Sequence, residues 1–154
     1  MSIHTVRTHN FQNIRVSKVL KILIIRLSSL GDVVLTTPVP RLLRKKFPNS
    51  EIHFITKSEY SDIYINNNNV NKVINLEQNL KKTIKFLKSE KYGLVIDLHN
   101  NLRSNIIKYS LSVKHFTYNK QSFARWLFSN LKIKLVIKHI TKSYIETLNN
   151  LDIK

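Results

Sequence analysis

The feature that most constrains the fold is a short aliphatic run near the amino terminus. Residues 19–26 read V-L-K-I-L-I-I-R, and so dense a run of Ile and Leu predicts a strand that is buried on both faces. Such strands occur in parallel sheets that carry helices on both sides. A short turn, L-S-S-L-G, follows at residues 27–31. Residues 32–47 then show a helical apolar pattern that Pro38 and Pro40 kink or interrupt.

The same alternation of strand and helix continues along the chain. Short apolar runs predict further strands at residues 52–56, 70–76, 94–98, 115–118 and 132–138. Amphipathic patterns predict helices at residues 58–66, 78–91, 100–110, 122–130 and 141–151. Alternating strands and helices build a parallel sheet through right-handed crossovers. The predicted fold class is therefore α/β, with a doubly wound, Rossmann-like parallel sheet.

The topology of such a sheet also predicts where a ligand binds. Ligands of doubly wound sheets bind beyond the carboxyl ends of the strands, where the strand-to-helix loops meet. Three loops are therefore candidates for one site, at residues 27–32, 99–103 and 119–125.

The composition excludes several kinds of chemistry. The chain has no cysteine, which excludes disulfides, a thiol nucleophile and Cys-ligated metals, and agrees with a reducing cytoplasm. Its two glycines, Gly31 and Gly93, cannot form a G-x-G-x-x-G or P-loop motif. Nicotinamide, flavin and Walker-type nucleotide chemistry are therefore not expected. No paired-His motif indicates a metal site, so we expect neither a cofactor nor a metal.

The charge balance favours an anionic partner. Lys and Arg together number 26, against 9 for Asp and Glu, which gives a formal net charge of +17. A charge of this size attracts polyanions, and nucleic acid, an anionic membrane surface and a phosphorylated or carboxylated substrate all qualify. The most apolar run, at residues 19–25, is interrupted by Lys21 and is too short to span a bilayer.

The turn after the first strand carries the residues best suited to chemistry. Gly31 permits a tight turn or a close backbone approach, and Ser28 and Ser29 offer hydroxyl groups. Asp32 begins the following helix, where an aspartate commonly caps the helix and where it can also act as a general base. A helix N-terminus stabilises the ionised carboxylate and weakens it as a base. A base role therefore requires a closely held acceptor hydroxyl or partial desolvation.

Two motifs resemble a known family. The chain resembles the bacterial lipopolysaccharide heptosyltransferases, glycosyltransferase family nine, in K-I-L-I-I-R-L-S-S-L-G-D-V-V-L-T-T-P at residues 21–38. It resembles them also in Y-G-L-V-I-D-L-H-N-N-L-R-S at residues 92–104, and more loosely over residues 118–125. Asn100 departs from the family pattern, because glycine is expected at its position.

The resemblance implies an activity and a set of site residues. Members of the family have two Rossmann-like domains in the arrangement called GT-B, and they transfer heptose from ADP-heptose to the lipopolysaccharide inner core. The transfer inverts the anomeric carbon and requires no metal. The resemblance makes Asp32 the base that deprotonates the acceptor hydroxyl. The acceptor-binding residues that it implies are Arg26, Ser28, Ser29, Gly31, Arg103, Lys120 and Arg125.

The residue pattern and the resemblance together imply a division of the chain. Residues 1–18 form a loose basic leader, residues 19–140 form the acceptor-side domain, and residues 141–154 begin a connecting helix. A donor domain is absent, so we expect the chain alone to bind an acidic, lipid-linked saccharide acceptor without catalysing transfer. An ADP-sugar would bind only if a second domain were supplied. The expected location is cytoplasmic, peripheral to the inner face of the inner membrane and in contact with its anionic surface.

Two other functions remain open at this point. A basic α/β module that binds nucleic acid is supported by the charge and by the aromatic residues Tyr118 and Trp126. However, the sequence contains no recognisable nucleic-acid-binding motif, and its basic residues are spread over several predicted helices. Nucleic acid is therefore the less favoured partner. The other alternative is a non-catalytic fragment of a pseudoenzyme.

Overall fold

The computed structural model describes residues 19–119 and 133–151, which form a five-stranded sheet between two layers of helices. The strands are β1 (Lys21–Ile25), β2 (Glu51–Thr56), β3 (Lys72–Asn75), β4 (Leu94–Asp97) and β5 (Lys114–Thr117). Their order across the sheet is β3-β2-β1-β4-β5, and every neighbouring pair is parallel. The strand order therefore reverses direction at β1, which confirms the predicted doubly wound fold.

The helices alternate with the strands, as the sequence predicts. They are α1 (Leu30–Leu35), α2 (Pro38–Lys46), α3 (Asp62–Ile65), α4 (Leu80–Glu90), α5 (Leu102–Leu111) and α6 (Ile133–Glu146). Two short 3₁₀ turns, at Ser58–Tyr60 and Asn149–Leu151, complete the described elements.

Two hydrophobic cores lie on opposite faces of the sheet, because side chains along a strand alternate between its faces. Ile22 and Ile24 of β1 pack against side chains from α1, α2, α3 and α6. Leu23 and Ile25 pack against side chains from α4 and α5. All four of these strand residues are fully buried, as expected for a strand of a parallel sheet. Because β1 and β4 are parallel neighbours, the loops that follow them lie at the same edge of the sheet. The helices after these loops pack on different faces of the sheet.

The prolines divide the first predicted helix in two. α1 ends at Leu35 and α2 begins at Pro38, because proline cannot donate an interior helical hydrogen bond but fits the first turn of a new helix. Thr36 stabilises the junction, since its buried hydroxyl donates to the Val33 carbonyl at 2.7 Å and lies 2.9 Å from the Tyr64 hydroxyl.

The loop after β4 explains why Asn100 can stand where the family motif has glycine. This residue has a φ of 48°, in the left-handed region that glycine adopts freely and that asparagine tolerates better than most other residues. The Asn100 side-chain amide also donates to the Tyr118 carbonyl at 2.9 Å, which ties this loop to the end of β5. Asparagine therefore fits the backbone geometry for which the motif normally uses glycine.

One predicted strand is wrong. The run at residues 132–138 was expected to be a strand, but residues from Ile133 onward belong to the 14-residue helix α6. A short apolar run does not distinguish a strand from a buried helix, and here it is continuous with the helix predicted at 141–151. α6 thus crosses the predicted domain boundary after residue 140, and Tyr144 near its end packs into the first core. The predicted leader, the helix predicted at 122–130 and residues 152–154 lie outside the described residues.

Candidate active site at the carboxyl edge of the sheet

Asp32 lies just beyond the carboxyl end of β1, as predicted, and is held by the start of its own helix. Ser29 precedes α1 as its N-cap residue, and Asp32 is the third residue of that helix. The Ser29 hydroxyl donates to Asp32 Oδ2 at 3.0 Å, and the Ser29 amide approaches the same oxygen at 3.4 Å. These contacts form one half of a capping box, so the local sequence S-L-G-D fixes the direction of the carboxylate.

Arg26 holds the same carboxylate from the side of the sheet. Its Nη2 lies 2.5 Å from Asp32 Oδ2, and its Nη1 donates to the Leu98 carbonyl at 2.6 Å. The side chain is 6% exposed, and its guanidinium carbon lies 5.4 Å from the centre of the Tyr144 ring. A buried guanidinium with both of its terminal nitrogens engaged is suited to positioning Asp32. Because the side chain is almost fully buried, it is poorly accessible to a substrate.

Tyr144 supplies a third contact to the carboxylate. Its hydroxyl donates to Asp32 Oδ1 at 3.2 Å, on the opposite carboxylate oxygen from Arg26 and Ser29. The sequence placed Tyr144 only within the amphipathic helix predicted at residues 141–151. The two residues are 112 positions apart, and periodicity within one helix cannot show which distant carboxylate its hydroxyl reaches. Tyr144 is therefore a site residue that sequence reasoning missed.

These contacts decide the charge of Asp32. Partial burial raises the pKa of its carboxyl, but the neighbouring Arg26 guanidinium and the hydrogen bonds from Ser29 outweigh burial, so the pKa lies below its usual value. Asp32 is consequently ionised near neutral pH. Its side chain remains 33% exposed, so the carboxylate can still accept a hydrogen bond or a proton from a ligand.

Gly31 and Ser28 belong to the same segment as Asp32 and Ser29. The expected tight turn or close backbone approach at Gly31 is not found, because Gly31 lies within α1 and a Cβ built there would meet no atom within 4 Å. Gly31 is exposed to solvent on the surface of this helix. Ser28 is half-buried and Ser29 is exposed, and both lie in the turn between β1 and α1, where the sequence placed them.

Arg103 is the remaining predicted acceptor-binding residue within the described part of the chain, and it does not pair with Asp32. Arg103 is exposed at the second position of α5, a helix that packs on the opposite face of the sheet from α1. Within residues 19–119 and 133–151, Arg103 forms no ion pair with Asp32 or any other carboxylate. Lys120 and Arg125 lie outside the described residues.

Asp97 organises the neighbouring loop. Asp97 is the last residue of β4, and its Oδ1 accepts the backbone N–H groups of His99 and Asn100 at 3.0 and 2.9 Å. Its Oδ2 accepts the Ser104 hydroxyl at 3.1 Å and pairs with Lys108 Nζ at 3.0 Å. Asp97 is fully buried and Lys108 is 2% exposed, so this pair shapes the loop and is closed to a substrate.

One group in the described part of the chain has the residue types of a metal site, but it lies at the other edge of the sheet. Glu51, His53 and Glu90 bring their ligand atoms within 4.8 Å of one another near the start of β1 and β2. Lys21 Nζ already binds Glu51 at 3.2 Å and Glu90 at 2.8 Å, and Lys72 Nζ binds Glu90 at 2.7 Å. The ammonium groups neutralise these carboxylates, which makes the cluster a salt-bridge network.

The parallel sheet and its two helical layers define the fold class as a Rossmann-like α/β domain, with the Asp32 carboxylate at the edge where such sheets bind ligands. No protein-family profile matches the chain. Over 109 residues, 67% of the chain, it is 31% identical to lipopolysaccharide heptosyltransferase 1 of Campylobacter coli. The chain is thus a relative of the lipopolysaccharide heptosyltransferases, which confirms the resemblance read from its motifs. The match covers 32% of that enzyme, so the chain spans about a third of its length.

Solved structures give the same fold. A glycosyl transferase of family 9 from Veillonella parvula superposes with a TM-score of 0.70 over 92% of this chain and 44% of that one, at 20% identity. Escherichia coli ADP-heptose LPS heptosyltransferase II gives a TM-score of 0.56 over 62% of this chain and 29% of its own, at 23% identity. Escherichia coli heptosyltransferase WaaC, solved with ADP, also gives 0.56, over 84% of this chain and 48% of its own, at 17% identity.

Proposed function

We propose that this chain is the acceptor-binding half of an inverting glycosyltransferase that transfers heptose from ADP-heptose to the inner core of lipopolysaccharide. The observation that carries the proposal is the Asp32 carboxylate. It is one-third exposed at the carboxyl edge of the sheet and fixed by Arg26, Ser29 and Tyr144. The sequence identity to a lipopolysaccharide heptosyltransferase supports the choice of sugar and acceptor.

Asp32 would act as the general base of a direct displacement. The acceptor hydroxyl oxygen attacks the anomeric carbon of the heptose, and the bond between that carbon and the phosphate oxygen of ADP breaks. The proton of the hydroxyl passes to Asp32, and ADP leaves with the bonding electron pair. Attack on the face opposite the leaving group inverts the anomeric carbon.

The low pKa of Asp32 limits how this base can work. A carboxylate stabilised by Arg26 accepts a proton poorly while the hydroxyl is still neutral. Proton transfer therefore has to accompany carbon–oxygen bond formation, when the hydroxyl becomes strongly acidic. The contacts of Arg26, Ser29 and Tyr144 support this role, because they hold the Asp32 carboxylate in one direction. An acceptor hydroxyl that binds on the exposed side then meets a base that is already oriented.

The basic residues divide into two roles in this proposal. Arg26 is buried and positions Asp32, although the motif resemblance alone would make it an acceptor ligand. Arg103 is exposed at the same edge of the sheet and is available to bind carboxylate or phosphate groups of the acceptor, and we assign Lys120 and Arg125 the same role. The acceptor is lipid-linked, so the reaction would take place at the cytoplasmic face of the inner membrane.

Acceptor binding and transfer can be tested separately. The 154-residue chain should bind a phosphorylated, lipid-linked core saccharide more weakly as salt increases, without transferring heptose, because it spans about a third of a heptosyltransferase. Adding the donor-binding part of a heptosyltransferase as a second chain should give transfer if the two parts dock. Holding both substrates in alignment contributes roughly 7–11 kcal/mol to such reactions.

A matched pair of variants tests the acceptor site. Arg103→Gln should weaken acceptor binding about tenfold, since a hydrogen bond to a charged group contributes roughly 1.5–3 kcal/mol. Arg41→Gln, at an exposed position of α2, should leave binding unchanged. Equal affinities for the two variants would remove Arg103 from the site. Rapid transfer by the chain alone would contradict its assignment as one half of the enzyme.

A further inference from the structure

A small polar cavity lies between the end of β5 and the end of α6, and the candidate active site does not use it. Its volume is about 100 Å³, and it is partly open to solvent. The lining consists of five polar side chains, which are Thr117, Asn119, Ser143, Glu146 and Thr147. Three of them carry hydroxyl groups, one an amide and one a carboxylate. Hydrogen-bond donors and acceptors therefore surround a space of about three water molecules.

The charge of this cavity differs from that of the chain as a whole. Lys and Arg outnumber Asp and Glu by 26 to 9, yet none of the five lining residues is basic. Glu146 is exposed, and within residues 19–119 and 133–151 its carboxylate forms no ion pair. Such a carboxylate repels phosphate and carboxylate groups. The cavity is therefore suited to a neutral ligand that is rich in hydrogen-bonding groups.

Two of the hydroxyls already have a partner, which decides what they offer to a ligand. Lys108 Nζ donates to Thr117 Oγ1 at 2.7 Å, so the hydrogen of the Thr117 hydroxyl remains to be donated. The Thr147 hydroxyl donates to the Ser143 carbonyl at 3.3 Å and keeps its oxygen lone pairs as acceptors. Sugar hydroxyls both donate and accept, and a carboxylate such as Glu146 can accept from two of them. The lining thus complements the hydroxyl groups of a sugar.

A pair of tyrosines connects this cavity to the candidate active site. Residues of the lining flank both Tyr118 and Tyr144 in the chain, and the two rings lie 4.7 Å apart. The Tyr144 hydroxyl in turn donates to Asp32. β5 is two strands away from β1, and neighbouring strands are about 4.8 Å apart, so the carboxyl ends of β1 and β5 are separated by about 10 Å. A disaccharide can span this distance.

We propose that the cavity is a subsite for a neutral sugar residue of the acceptor, next to the residue whose hydroxyl Asp32 activates. This inference rests on the proposed function, because it takes the acceptor to be a saccharide that reaches Asp32. Thr117 donates to one sugar hydroxyl, and Glu146 and Thr147 accept from others. An ammonium group would satisfy Glu146 but would leave the Thr117 hydroxyl without an acceptor, so the lining as a set favours a sugar.

The subsite has a different task from the basic residues of the acceptor site. Basic residues attract anionic groups, and that attraction weakens as salt increases. The cavity instead distinguishes sugars by the positions of their hydroxyls, because a buried polar group left without a partner lowers affinity. Its polar lining does not suit the lipid part of the acceptor. No helix in the described ranges, 19–119 and 133–151, is long and apolar enough to cross a bilayer.

NMR titration of the full 154-residue chain with methyl mannopyranoside tests the subsite without a donor half or a charged acceptor. The neutral sugar should shift the backbone amide signals of residues 117–119 and 143–147, and the shifts should saturate in the millimolar range, since few net hydrogen bonds form. The dissociation constant should agree within about twofold between about 0.05 M and 0.5 M salt, because the probe carries no charge.

Two variants remove single polar groups from the lining. Glu146→Gln should weaken sugar binding about tenfold, and because Glu146 is exposed the fold should be unaffected. Thr147→Val keeps the shape of the side chain and should weaken binding about three- to tenfold. As matched controls, Glu77→Gln removes an exposed carboxylate beyond β3, and Ser89→Ala removes an exposed hydroxyl that donates to a carbonyl of its own helix. Both controls should bind the sugar within about twofold of the original chain.

The outcomes separate the subsite from the proposed function. An unchanged sugar affinity in Glu146→Gln would overturn the subsite, as would shifts that spread over the chain without saturating. Binding of ethanolamine as tight as that of the sugar would also overturn it, because the cavity would then be an ammonium site. Intact sugar binding in a chain that transfers no heptose with a donor half present would count against the proposed function and would leave the cavity as a sugar site.

Discussion

Arg26 Nη2 and Asp32 Oδ2 lie 2.5 Å apart at the end of β1, and the cation of this pair is buried while the anion is one-third exposed. This difference in exposure gives Arg26 and Asp32 different roles. The buried guanidinium is held by the Leu98 carbonyl and therefore provides a fixed reference for the carboxylate, which keeps one side open. Four predictions about folding and ionisation follow from this pair and from the other ion pairs of the sheet.

Replacing Arg26 by Gln should raise the pKa of Asp32 and destabilise the fold. Removal of the neighbouring positive charge takes away the main influence that lowers this pKa, and it also breaks the bond to the Leu98 carbonyl. We expect a loss of about 2–3 kcal/mol in the free energy of unfolding, less than for a fully buried pair because Asp32 is partly exposed. Urea unfolding and NMR titration of the Asp32 carboxyl measure the two effects. Arg41→Gln, at an exposed position, should change neither.

Replacing Tyr144 by Phe should release one oxygen of Asp32 with little loss of packing. The ring contact with Tyr118, at 4.7 Å between centroids, remains in the variant. Loss of the hydroxyl removes one hydrogen bond to the carboxylate, so the free energy of unfolding should fall by about 0.5–1.5 kcal/mol and the pKa of Asp32 should rise. Tyr109→Phe is the control, because Tyr109 is 64% exposed. An unchanged Asp32 titration in the Tyr144→Phe protein would show that the 3.2 Å contact is not a hydrogen bond in solution.

Replacing Lys108 by Met should be the most destabilising of these changes. It leaves the fully buried Asp97 carboxylate without its cation, and such removals cost about 3–5 kcal/mol. Asp97→Asn in the same chain should recover part of the loss, because a neutral amide no longer requires the cation. A double-mutant cycle of unfolding free energies measures the coupling. Additive losses would show that the two side chains do not interact.

The salt bridges of Glu90 should make the free energy of unfolding depend on pH in the acidic range. Hydrogen bonds from Lys21 and then from Lys72 lower the pKa of Glu90 from 4.5 to about 2. A carboxyl whose folded-state pKa is lowered stabilises the fold above its unfolded pKa. That contribution is lost as the pH falls from about 4.5 to about 2. Glu90→Gln should therefore cost about 1–2 kcal/mol near neutral pH and almost nothing near pH 2. A constant difference across this range, measured by urea unfolding, would contradict the assignment.

The sequence predicted the fold because its local patterns agree with the topology. Residues 22–25 are all aliphatic, which is typical of a strand buried on both faces, and the loop after such a strand lies at the carboxyl edge of the sheet. The position of Asp32 at that edge was therefore predictable. The strand expected at residues 132–138 failed because a short apolar run fits either a strand or a buried helix.

The contacts around Asp32 were less predictable, since they depend on tertiary packing. The motif indicated a basic residue at Arg26, but its burial and its bond to the Leu98 carbonyl depend on how β1 and β4 pair. Tyr144 reaches Asp32 only because α6 packs over α1, and nothing in the residues near Tyr144 indicates that contact. Gly31 shows the opposite error, since a glycine in a motif suggested a turn where the chain forms a helix.

The central claim is that Asp32 is the base of a glycosyl transfer, and a single-turnover assay tests it most directly. This chain and the donor-binding part of a heptosyltransferase are combined with ADP-heptose and a lipid-linked acceptor, and the rate of heptose transfer is measured for the original chain and for Asp32→Asn. The amide cannot accept the proton, so we predict a rate lower by about 10²–10⁴-fold, with acceptor affinity within about threefold of the original. An Asp32→Asn protein that transfers heptose at the original rate would contradict the account and would leave Asp32 as a residue that only caps α1.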